Sequence, residues 1–435
     1  MWSRLGSARG ITATRRAKPR RDPAACGSLK VDACEVFHKP RRRWGRGEER
    51  VIGDHTIDTD VLVVGAGPGG SATAYHLARH GIDVTIVERA AFPREKVCGD
   101  GLTPRGVAAI RDMGIDTEDP GFEKVIGLRV YTRNSVLQLP WPELTSFPGY
   151  GLVMPRDRFD DLLVQRAVKA GACLMEGTEA VAPVIVEGWV EGAEVRPTAD
   201  RSADTTRIRA RFVVAADGAA GRFARPAGVR RDDSRPLGIA ARRYYRTAYR
   251  PGPWFESWLD LWDGDMLLPG YGWLFPVTGG RINLGAGLLN TFRHFEEVSA
   301  QQLFAAFARM LPAEWGLTED ATEGGLLSGP LPMSFNRSPQ AVPGLLVVGD
   351  AAGAVNPFNG EGIAYAMETA KLAADLLSEA LVKDRPGLAM RYPQLLSDTY
   401  GRYFFIGRQF AKILPCAHDA REGVVSALRR MDRSC

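Results

Sequence analysis

Residues 61–70 read VLVVGAGPGG, an apolar run that leads directly into a glycine-rich turn, and the next residues have a helical composition. The pattern predicts a buried strand that turns sharply into a helix. Gly65 permits the turn, Gly67 lets backbone N–H groups approach a pyrophosphate, and Gly70 lets the helix pack closely on the strand. Because the helix N-terminus then faces the phosphates, the segment is predicted to bind a dinucleotide.

A second apolar segment extends this unit. Residues 84–87 read VTIV and are followed by Glu88 and Arg89. Glu88 lies at the spacing expected of a carboxylate that binds the adenosine ribose, and Arg89 beside it is a further candidate for cofactor contact. A glycine triad alone is also compatible with an ordinary tight turn, and this unit does not distinguish NAD from FAD.

A distant motif separates these two cofactors. Residues 345–353 read LLVVGDAAG, which predicts another buried strand ending in Gly349 and Asp350. A nicotinamide dehydrogenase needs no acid at this place, whereas a flavin has a ribityl chain whose hydroxyls Asp350 can hold. The alternative for Asp350 is an ordinary helix cap. The two motifs together predict FAD.

The turn after this strand supports a flavin. Residues 356–363 read NPFNGEGI and precede a helical pattern. Gly360, Gly362 and Ile363 are therefore predicted to direct a helix N-terminus at the pyrimidine edge of the flavin, where negative charge develops on reduction.

Charge is distributed unevenly along the 435 residues. Residues 1–50 contain 14 Lys+Arg and 5 Asp+Glu, so the rest of the chain contains 42 against 46. Without a basic bias in its globular part, the protein is not expected to bind nucleic acid.

The basic segment, residues 1–50, is interpreted as a disordered arm, a transit-like segment or sequence upstream of the true start. It has no apolar core of a secretory signal, and no stretch is long enough to span a membrane, so a cytoplasmic location is expected.

Between the two flavin motifs, residues 238–287 are β-prone and rich in aromatic side chains, which predicts an antiparallel sheet. The predicted class is α/β (α+β overall), with a Rossmann-like FAD-binding domain interleaved with an antiparallel substrate-binding sheet and followed by a helical C-terminus. The predicted boundaries are 1–57 for the disordered basic extension, 58–123, 150–236 and 336–382 for the FAD-binding domain, 124–149 and 237–335 for the sheet domain, and 383–435 for the C-terminal segment.

From about residue 58 to residue 403 the chain resembles the geranylgeranyl reductase family, flavoproteins of the para-hydroxybenzoate hydroxylase fold. Within that family it is most similar to the bacterial menaquinone reductases. The segments that carry the resemblance are the glycine fingerprint, PR at 93–94, CGDGL at 98–102, RDRFD at 156–160, DG at 217–218, LLPGYGWLFP at 267–276 and the GDAAG…NP…GEGI segment.

The resemblance implies reduction of an isoprenoid double bond, with a menaquinone tail as the favoured substrate and a geranylgeranyl lipid next. It leaves NAD(P)H and a ferredoxin-like protein open as electron donors. The same fold hosts flavin-dependent hydroxylases and halogenases. A halogenase needs a reactive lysine, and Lys96 is the only lysine near the first flavin segment, within a PREKVC pattern that the reductases match better. A flavin-bearing lipid carrier is the non-enzymatic alternative.

Cys98 is the first candidate for catalysis. It is followed closely by Gly99 and Gly101, which impose no side-chain bulk at a flavin face, although a buried inert cysteine is the usual alternative. The resemblance implies that it lies beside the flavin and donates a proton or steers the substrate. Asp100 is expected to organise this loop through hydrogen bonds to its own backbone and to take no part in catalysis.

Tyr271, Trp273 and Phe275 alternate along a predicted strand and therefore point to one face. Spacing alone favours an ordinary core stripe. The resemblance implies instead a wall for a prenyl chain, in which Tyr271 and Trp273 also take part in catalysis by stabilising cationic character.

Three further sites are predicted. Arg156 is either paired with Asp160 one helical turn away or, as the resemblance implies, close to the cofactor. Asp217 resembles the acid of the flavin-fold DG motif and is expected to position a loop by hydrogen bonding. Residues 403–414 read YFFIGRQFAKIL, which favours either a core-packing helix or an interfacial helix that brings the protein to the inner face of the membrane.

Overall fold

The computed structural model describes residues 56–264, 266–268, 270–292 and 295–417. The predictions for a basic N-terminal extension and for the end of the C-terminal segment lie almost entirely outside these residues. The helices of the described part are α1 (Pro68–Arg79), α2 (Pro104–Asp112), α3 (Arg156–Lys169), α4 (Ala300–Met310), α5 (Ile363–Val382) and α6 (Tyr392–Ala417).

The strands of the described part are β1 (Thr56–Val64), β2 (Val84–Val87), β3 (Gly101–Leu102), β4 (Glu123–Val125), β5 (Gly127–Thr132), β6 (Ser135–Pro140), β7 (Gly151–Val153), β8 (Cys173–Met175), β9 (Thr178–Val186), β10 (Trp189–Pro197), β11 (Thr206–Ala215), β12 (Arg230–Arg231), β13 (Leu237–Arg246), β14 (Trp254–Trp258), β15 (Leu261–Asp263), β16 (Met266–Leu268), β17 (Tyr271–Val277), β18 (Arg281–Leu289), β19 (Thr322–Pro332), β20 (Arg337–Ser338), β21 (Ala341–Val342) and β22 (Leu345–Val347).

The first large sheet contains the predicted Rossmann-like unit. Its order is β21-β22-β11-β1-β2-β8, and β22, β11, β1, β2 and β8 are parallel. Both faces are covered, because Val61 and Val63 of β1 belong to one apolar core while Leu62 and Val64 belong to another. A strand buried on both faces needs apolar residues at every position, which explains the unbroken VLVV run.

The second large sheet has the order β19-β13-β18-β17-β14-β5-β6 and is antiparallel except for the parallel pair β14/β5. The helix α4 packs on one face, where Leu274 and Leu284 join a core with Phe304 and Phe307. The strand period of two therefore directs Tyr271, Trp273 and Phe275 to the opposite face. The predicted antiparallel sheet, and the α/β class with its interleaved arrangement, are confirmed.

The helices α1 and α5 share the core beneath the first sheet with α2 and α3, and α6 adds Tyr400 and Phe404 to it. The helix predicted after residues 356–363 agrees with α5. No helix within the described residues is long and apolar enough to cross a membrane.

Candidate active site

A cleft of about 2860 Å³ is lined by residues from both large sheets. It contains every site residue predicted from the sequence except Gly70, which lies behind the glycine turn. The predicted residues that line the cleft are Gly65, Gly67, Glu88, Arg89, Cys98, Arg156, Asp217, Tyr271, Trp273, Phe275, Gly349, Asp350, Gly360, Gly362 and Ile363.

The glycine turn between β1 and α1 shows why each glycine is needed. Gly65 has a φ of 100°, and a Cβ there would lie 2.5 Å from the Ala216 carbonyl oxygen. A Cβ at Gly70 would lie 1.8 Å from the Gly65 carbonyl oxygen, so this glycine lets α1 start against the turn. A Cβ at Gly67 would meet only Arg94 Nη2, at 3.7 Å, and would otherwise occupy the cleft. Gly65 and Gly70 therefore serve packing, whereas Gly67 keeps space for a ligand.

Two helix N-termini reach the cleft. The first turn of α1, residues 68–71, reads PGGS, and that of α5, residues 363–366, reads IAYA, so neither carries an acid that would compensate the helix dipole. Gly360, with a φ of 73°, and the N-cap residue Gly362 shape the entry to α5. Helix N-termini of this kind bind anionic groups through N–H donors and the positive end of the dipole.

Glu88 ties the end of β2 to the glycine turn. Its Oε2 accepts a hydrogen bond from the Ala66 N–H at 2.9 Å, and its Oε1 accepts one from the Ala90 N–H at 3.1 Å. Arg94 Nη2 lies 3.5 Å from Glu88 Oε2. The side chain thus holds the turn while it lines the cleft, and a carboxylate has acceptor capacity left for a ribose hydroxyl.

A buried ion cluster lies behind the cleft. Asp160 is fully buried and pairs with Arg156 through Nε–Oδ1 and Nη2–Oδ2 distances of 2.7 and 2.8 Å. Arg94 Nη1 donates to the same carboxylate at 2.8 Å. Arg156 therefore pairs with Asp160 and also lines the cleft, while its predicted proximity to the cofactor stays a prediction. Sequence reasoning missed Arg94 as part of this cluster, and its only signal was its place in the PR dipeptide.

Cys98 lies at the cleft beside Arg156. Burial raises the pKa of the Cys98 thiol, and the Arg156 guanidinium opposes this effect only in part. The side chain therefore stays a neutral thiol at neutral pH. A neutral thiol holds a proton that it can donate but is a poor nucleophile.

The expectation that Asp100 bonds its own backbone was wrong. Its carboxylate does not bond its own backbone; Oδ2 accepts hydrogen bonds from the Tyr244 hydroxyl and from Asn283 Nδ2. Burial raises the pKa of Asp100 to about 6, although Tyr244 and Asn283 act in the opposite direction. The misinterpretation came from the flanking glycines, which suggest a local turn, whereas both partners lie in the second sheet.

Tyr271, Trp273 and Phe275 form a row of rings in the cleft, with centroids 5.9 Å and 6.5 Å apart. The indole of Trp273 packs against Gly285 of β18, since a Cβ at Gly285 would be 2.0 Å from its Cζ2. Burial raises the pKa of Tyr271 to about 12. This hydroxyl therefore stays protonated and lies near Gly360, where a Cβ would approach it to 2.9 Å.

Asp217 accepts a hydrogen bond at Oδ2 from the Phe223 N–H at 3.0 Å, and burial raises its pKa. It therefore shapes the loop after β11. Asp350 follows β22, lines the cleft and lies close to the α5 entry, since a Cβ at Gly362 would be 3.3 Å from its Oδ1.

Comparison with known proteins shows which family this chain belongs to. The family described as "FAD binding domain" matches residues 58–261. The menaquinone reductase of Mycobacterium tuberculosis is 39% identical over 356 residues, which cover 82% of this chain and 84% of that protein. The chain belongs to the geranylgeranyl reductase family of FAD-dependent oxidoreductases.

Other members and fold relatives agree with this assignment. The digeranylgeranylglycerophospholipid reductase of Thermoplasma volcanium is 30% identical, with 79% of this chain and 84% of that protein covered. A geranylgeranyl bacteriochlorophyll reductase-like structure from Thermoplasma acidophilum has a TM-score of 0.69 at 27% identity, covering 84% of this chain and 91% of that one. A myxobacterial chondrochloren halogenase, with a TM-score of 0.67, 23% identity and coverage of 81% and 82%, shares the fold alone.

The cofactor of this geranylgeranyl reductase family member is FAD, and the cleft fits it. Gly67 leaves open space in front of the α1 N-terminus, and a carboxylate, Asp350, lies at the entry of a second helix. A dinucleotide with a ribityl chain needs both features. The individual contacts of the predicted residues stay predictions.

Proposed function

We propose that this protein saturates one isoprenoid double bond, in the prenyl tail of menaquinone or, as second candidate, in a geranylgeranyl lipid. The observation that carries the proposal is a single cleft that contains the dinucleotide cradle, the Cys98 thiol and the aromatic row of β17. The names of the relatives point to the same substrates.

Saturation of an isolated alkene adds a hydride to one carbon and a proton to the other. Reduced FAD supplies the hydride when it is bound. Cys98 supplies the proton. Burial raises the pKa of its thiol, so the thiol stays protonated until it transfers the proton to the alkene carbon. Arg156, which lies beside Cys98, stabilises the thiolate that is left, and solvent then returns a proton to it.

The aromatic row holds the prenyl chain. Tyr271, Trp273 and Phe275 offer apolar ring faces along one side of the cleft, and their π-faces favour cationic character at the alkene carbon that receives the hydride, when protonation of the other carbon runs ahead. Apolar side chains of neighbouring strands, among them Leu128 and Val130 of β5, continue this wall. A chain of isoprene units therefore finds an apolar path along the sheet.

The predicted cofactor contacts are assigned on the same basis. Gly67 leaves space for the pyrophosphate at α1, and Gly65 and Gly70 support the turn that binds it. The remaining assignments are Glu88 and Arg89 for the adenosine ribose, Arg156 and Asp217 for the cofactor-facing loops, Gly349 and Asp350 for the ribityl chain, and Gly360, Gly362 and Ile363 for the pyrimidine edge. The domain boundaries proposed from the sequence are supported by β5, β6 and β13–β19, of which all but β15 and β16 form one sheet.

An apolar rim suits a lipid-tailed substrate. Phe358, Tyr403, Ile406 and Phe410 line the cleft and are each about half exposed, at 53, 51, 45 and 49%. The last three lie on one face of α6, at the spacing of an amphipathic helix. We place this rim in contact with the inner face of the cell membrane, where the substrate enters the cleft.

Two electron donors are compatible with the sequence, NAD(P)H and a ferredoxin-like protein. Anaerobic mixing of the oxidised holoenzyme with each donor separates them, because only the physiological donor bleaches the flavin absorbance rapidly.

Mass spectrometry tests the function directly. The holoenzyme, reduced with dithionite so that the donor does not limit the rate, is incubated with menaquinone or with a geranylgeranyl lipid. A product two mass units heavier supports the proposal and identifies the substrate. Flavin that is reduced while neither lipid changes mass contradicts the proposal and favours the lipid-carrier alternative.

A further inference from the structure

Asn283 connects three parts of the cleft that are distant in sequence. Its Oδ1 accepts a hydrogen bond from Trp273 Nε1 at 3.1 Å. Its Nδ2 donates to the Cys98 carbonyl oxygen at 2.9 Å and to Asp100 Oδ2 at 2.8 Å. The indole N–H is only a donor, so the amide orientation is fixed, and all of the amide hydrogens are used.

Asp100 adds a second constraint on the same loop. It is 1% exposed and adopts a φ of 67°, a left-handed conformation that favours glycine. A glycine there would relieve the backbone. The carboxylate instead binds Tyr244 and Asn283, while its Oδ1 has no hydrogen-bond partner among the described residues.

Stability alone does not explain this arrangement of buried polar side chains. Both polar side chains are buried, Asn283 completely, and burial of polar groups costs free energy that an apolar pair would avoid. The Cys98 loop also packs closely on the aromatic row. A Cβ at Gly99 would lie 3.1 Å from Phe275 Cε2 and 3.3 Å from Trp273 Nε1, so there is no room for a larger residue between the loop and these rings. The network therefore locks the Cys98 loop against the aromatic row.

We propose that Asn283 and Asp100 are positioning residues that set the distance between the Cys98 loop and the Trp273 indole, and so select which double bond of the prenyl chain is reduced. The inference rests on the proposed function. Neither side chain needs to touch the reacting atoms, because each acts through Cys98 and Trp273.

The test uses the FAD-loaded full chain with Asn283→Leu, which keeps the size and loses all three hydrogen bonds. We expect normal FAD content, a kcat about 10–100-fold lower with KM changed little, and saturation spread over neighbouring double bonds. In FAD-free protein, Cys98 should be alkylated faster by iodoacetamide, because its loop is released. Asn290→Leu, in the same strand region but outside the cleft, is the matched control and should behave as wild type.

Asp100 variants keep the proposal testable if Asn283→Leu loses FAD through misfolding. Asp100→Gly suits the backbone but removes the acceptor, and should spread the product pattern. Asp100→Asn keeps an acceptor for Tyr244 and Asn283, and should restore the single product. Wild-type product pattern and kcat in both Asn283→Leu and Asp100→Gly would overturn the inference alone. A wild-type enzyme that reduces no prenyl lipid would overturn the proposed function as well.

Discussion

Cys98 is the residue on which the proposed chemistry depends most directly. Cys98→Ser keeps the size of the side chain but replaces the thiol with a far weaker acid. We expect normal folding and FAD content with alkene reduction lowered about 10²-fold or more, because general acid catalysis contributes that much. The measurement is single-turnover product formation by dithionite-reduced enzyme. Full activity of Cys98→Ser under these conditions would remove the thiol from the mechanism.

Trp273 tests the wall of the cleft separately from the cofactor site. Trp273→Ala should keep FAD but use the prenyl substrate poorly, with KM raised and kcat/KM lowered, because the apolar contact of the indole is lost. Trp315→Ala is the control, since this indole stacks on Tyr249 outside the cleft. Unaltered kinetics of Trp273→Ala would return the aromatic row to the role of ordinary core packing.

The buried Asp100 predicts a pH dependence of stability. Its pKa is raised from 3.8 to about 6, so its neutral form is favoured in the folded state. Its contribution to stability is complete below about pH 4 and is lost as the pH rises through 6, by roughly 3 kcal/mol at most. Asp100→Asn stays neutral and should therefore unfold at a higher temperature than wild type at pH 8, an advantage that disappears near pH 4.

The control for this measurement is Asp320→Asn, which changes an exposed carboxylate. Thermal unfolding of both variants and wild type is followed from pH 4 to pH 8. A stabilisation by Asp100→Asn that is equal at both ends of this range would contradict the ionisation of a buried carboxylate.

At the residue scale, the sequence revealed the side chains that follow recognisable motifs. Cys98, Asp350 and the alternating aromatics all reach one cleft, as the motifs suggested, while their roles await experiment. The hydrogen-bond partners of Asp100 were not predictable, because Tyr244 and Asn283 lie 144 and 183 residues away. A polar Asn in the apolar run RINLGAGLL was the one available signal.

At the element scale, the strand–turn–helix units follow from local chemistry. The unbroken apolar runs of β1 and β22 predict strands buried on both faces, and glycines mark the starts of α1 and α5. Local patterns do not predict that β14 pairs with β5, because this parallel pair joins segments about 130 residues apart. That register is set by tertiary packing, so only the kind of sheet could be predicted.

The entry to α5 provides an element-scale test of the cofactor site. Asp350→Ala removes the carboxylate that follows β22, and we expect weaker retention of FAD, because a hydrogen-bond acceptor for the ribityl chain is lost. Asp398→Ala, on the exposed surface of α6, is the control. FAD affinity is measured by titration of the FAD-free protein. Equal affinities of Asp350→Ala and wild type would contradict the assignment of Asp350.

At the scale of the whole molecule, the sequence predicted an interleaved architecture but not the single continuous cleft. The cleft depends on how the two large sheets face each other, which no local pattern encodes. Its opening beside α6 brings exposed apolar side chains from two segments together, and the rings of Phe358 and Phe410 are 5.5 Å apart. Residues 403–414 alone did not distinguish a core helix from an interfacial one.

The position of this rim at the cleft leads to the last prediction. Ile406→Ser/Phe410→Ser makes one face of α6 polar, and we expect binding to mixed phosphatidylcholine and phosphatidylglycerol vesicles to weaken by at least about 10-fold, because each large apolar side chain contributes roughly 1.5–3 kcal/mol when fully buried. Val382→Ser/Met390→Ser changes two side chains that are 72 and 44% exposed but outside the cleft, and should bind as wild type. Cosedimentation with vesicles gives both affinities.

Because the rim lies at the cleft, Ile406→Ser/Phe410→Ser should also lower the turnover of vesicle-embedded substrate more than the turnover of a short, water-soluble prenyl analogue. Equal vesicle binding by the two double variants would mean that α6 does not contact the membrane.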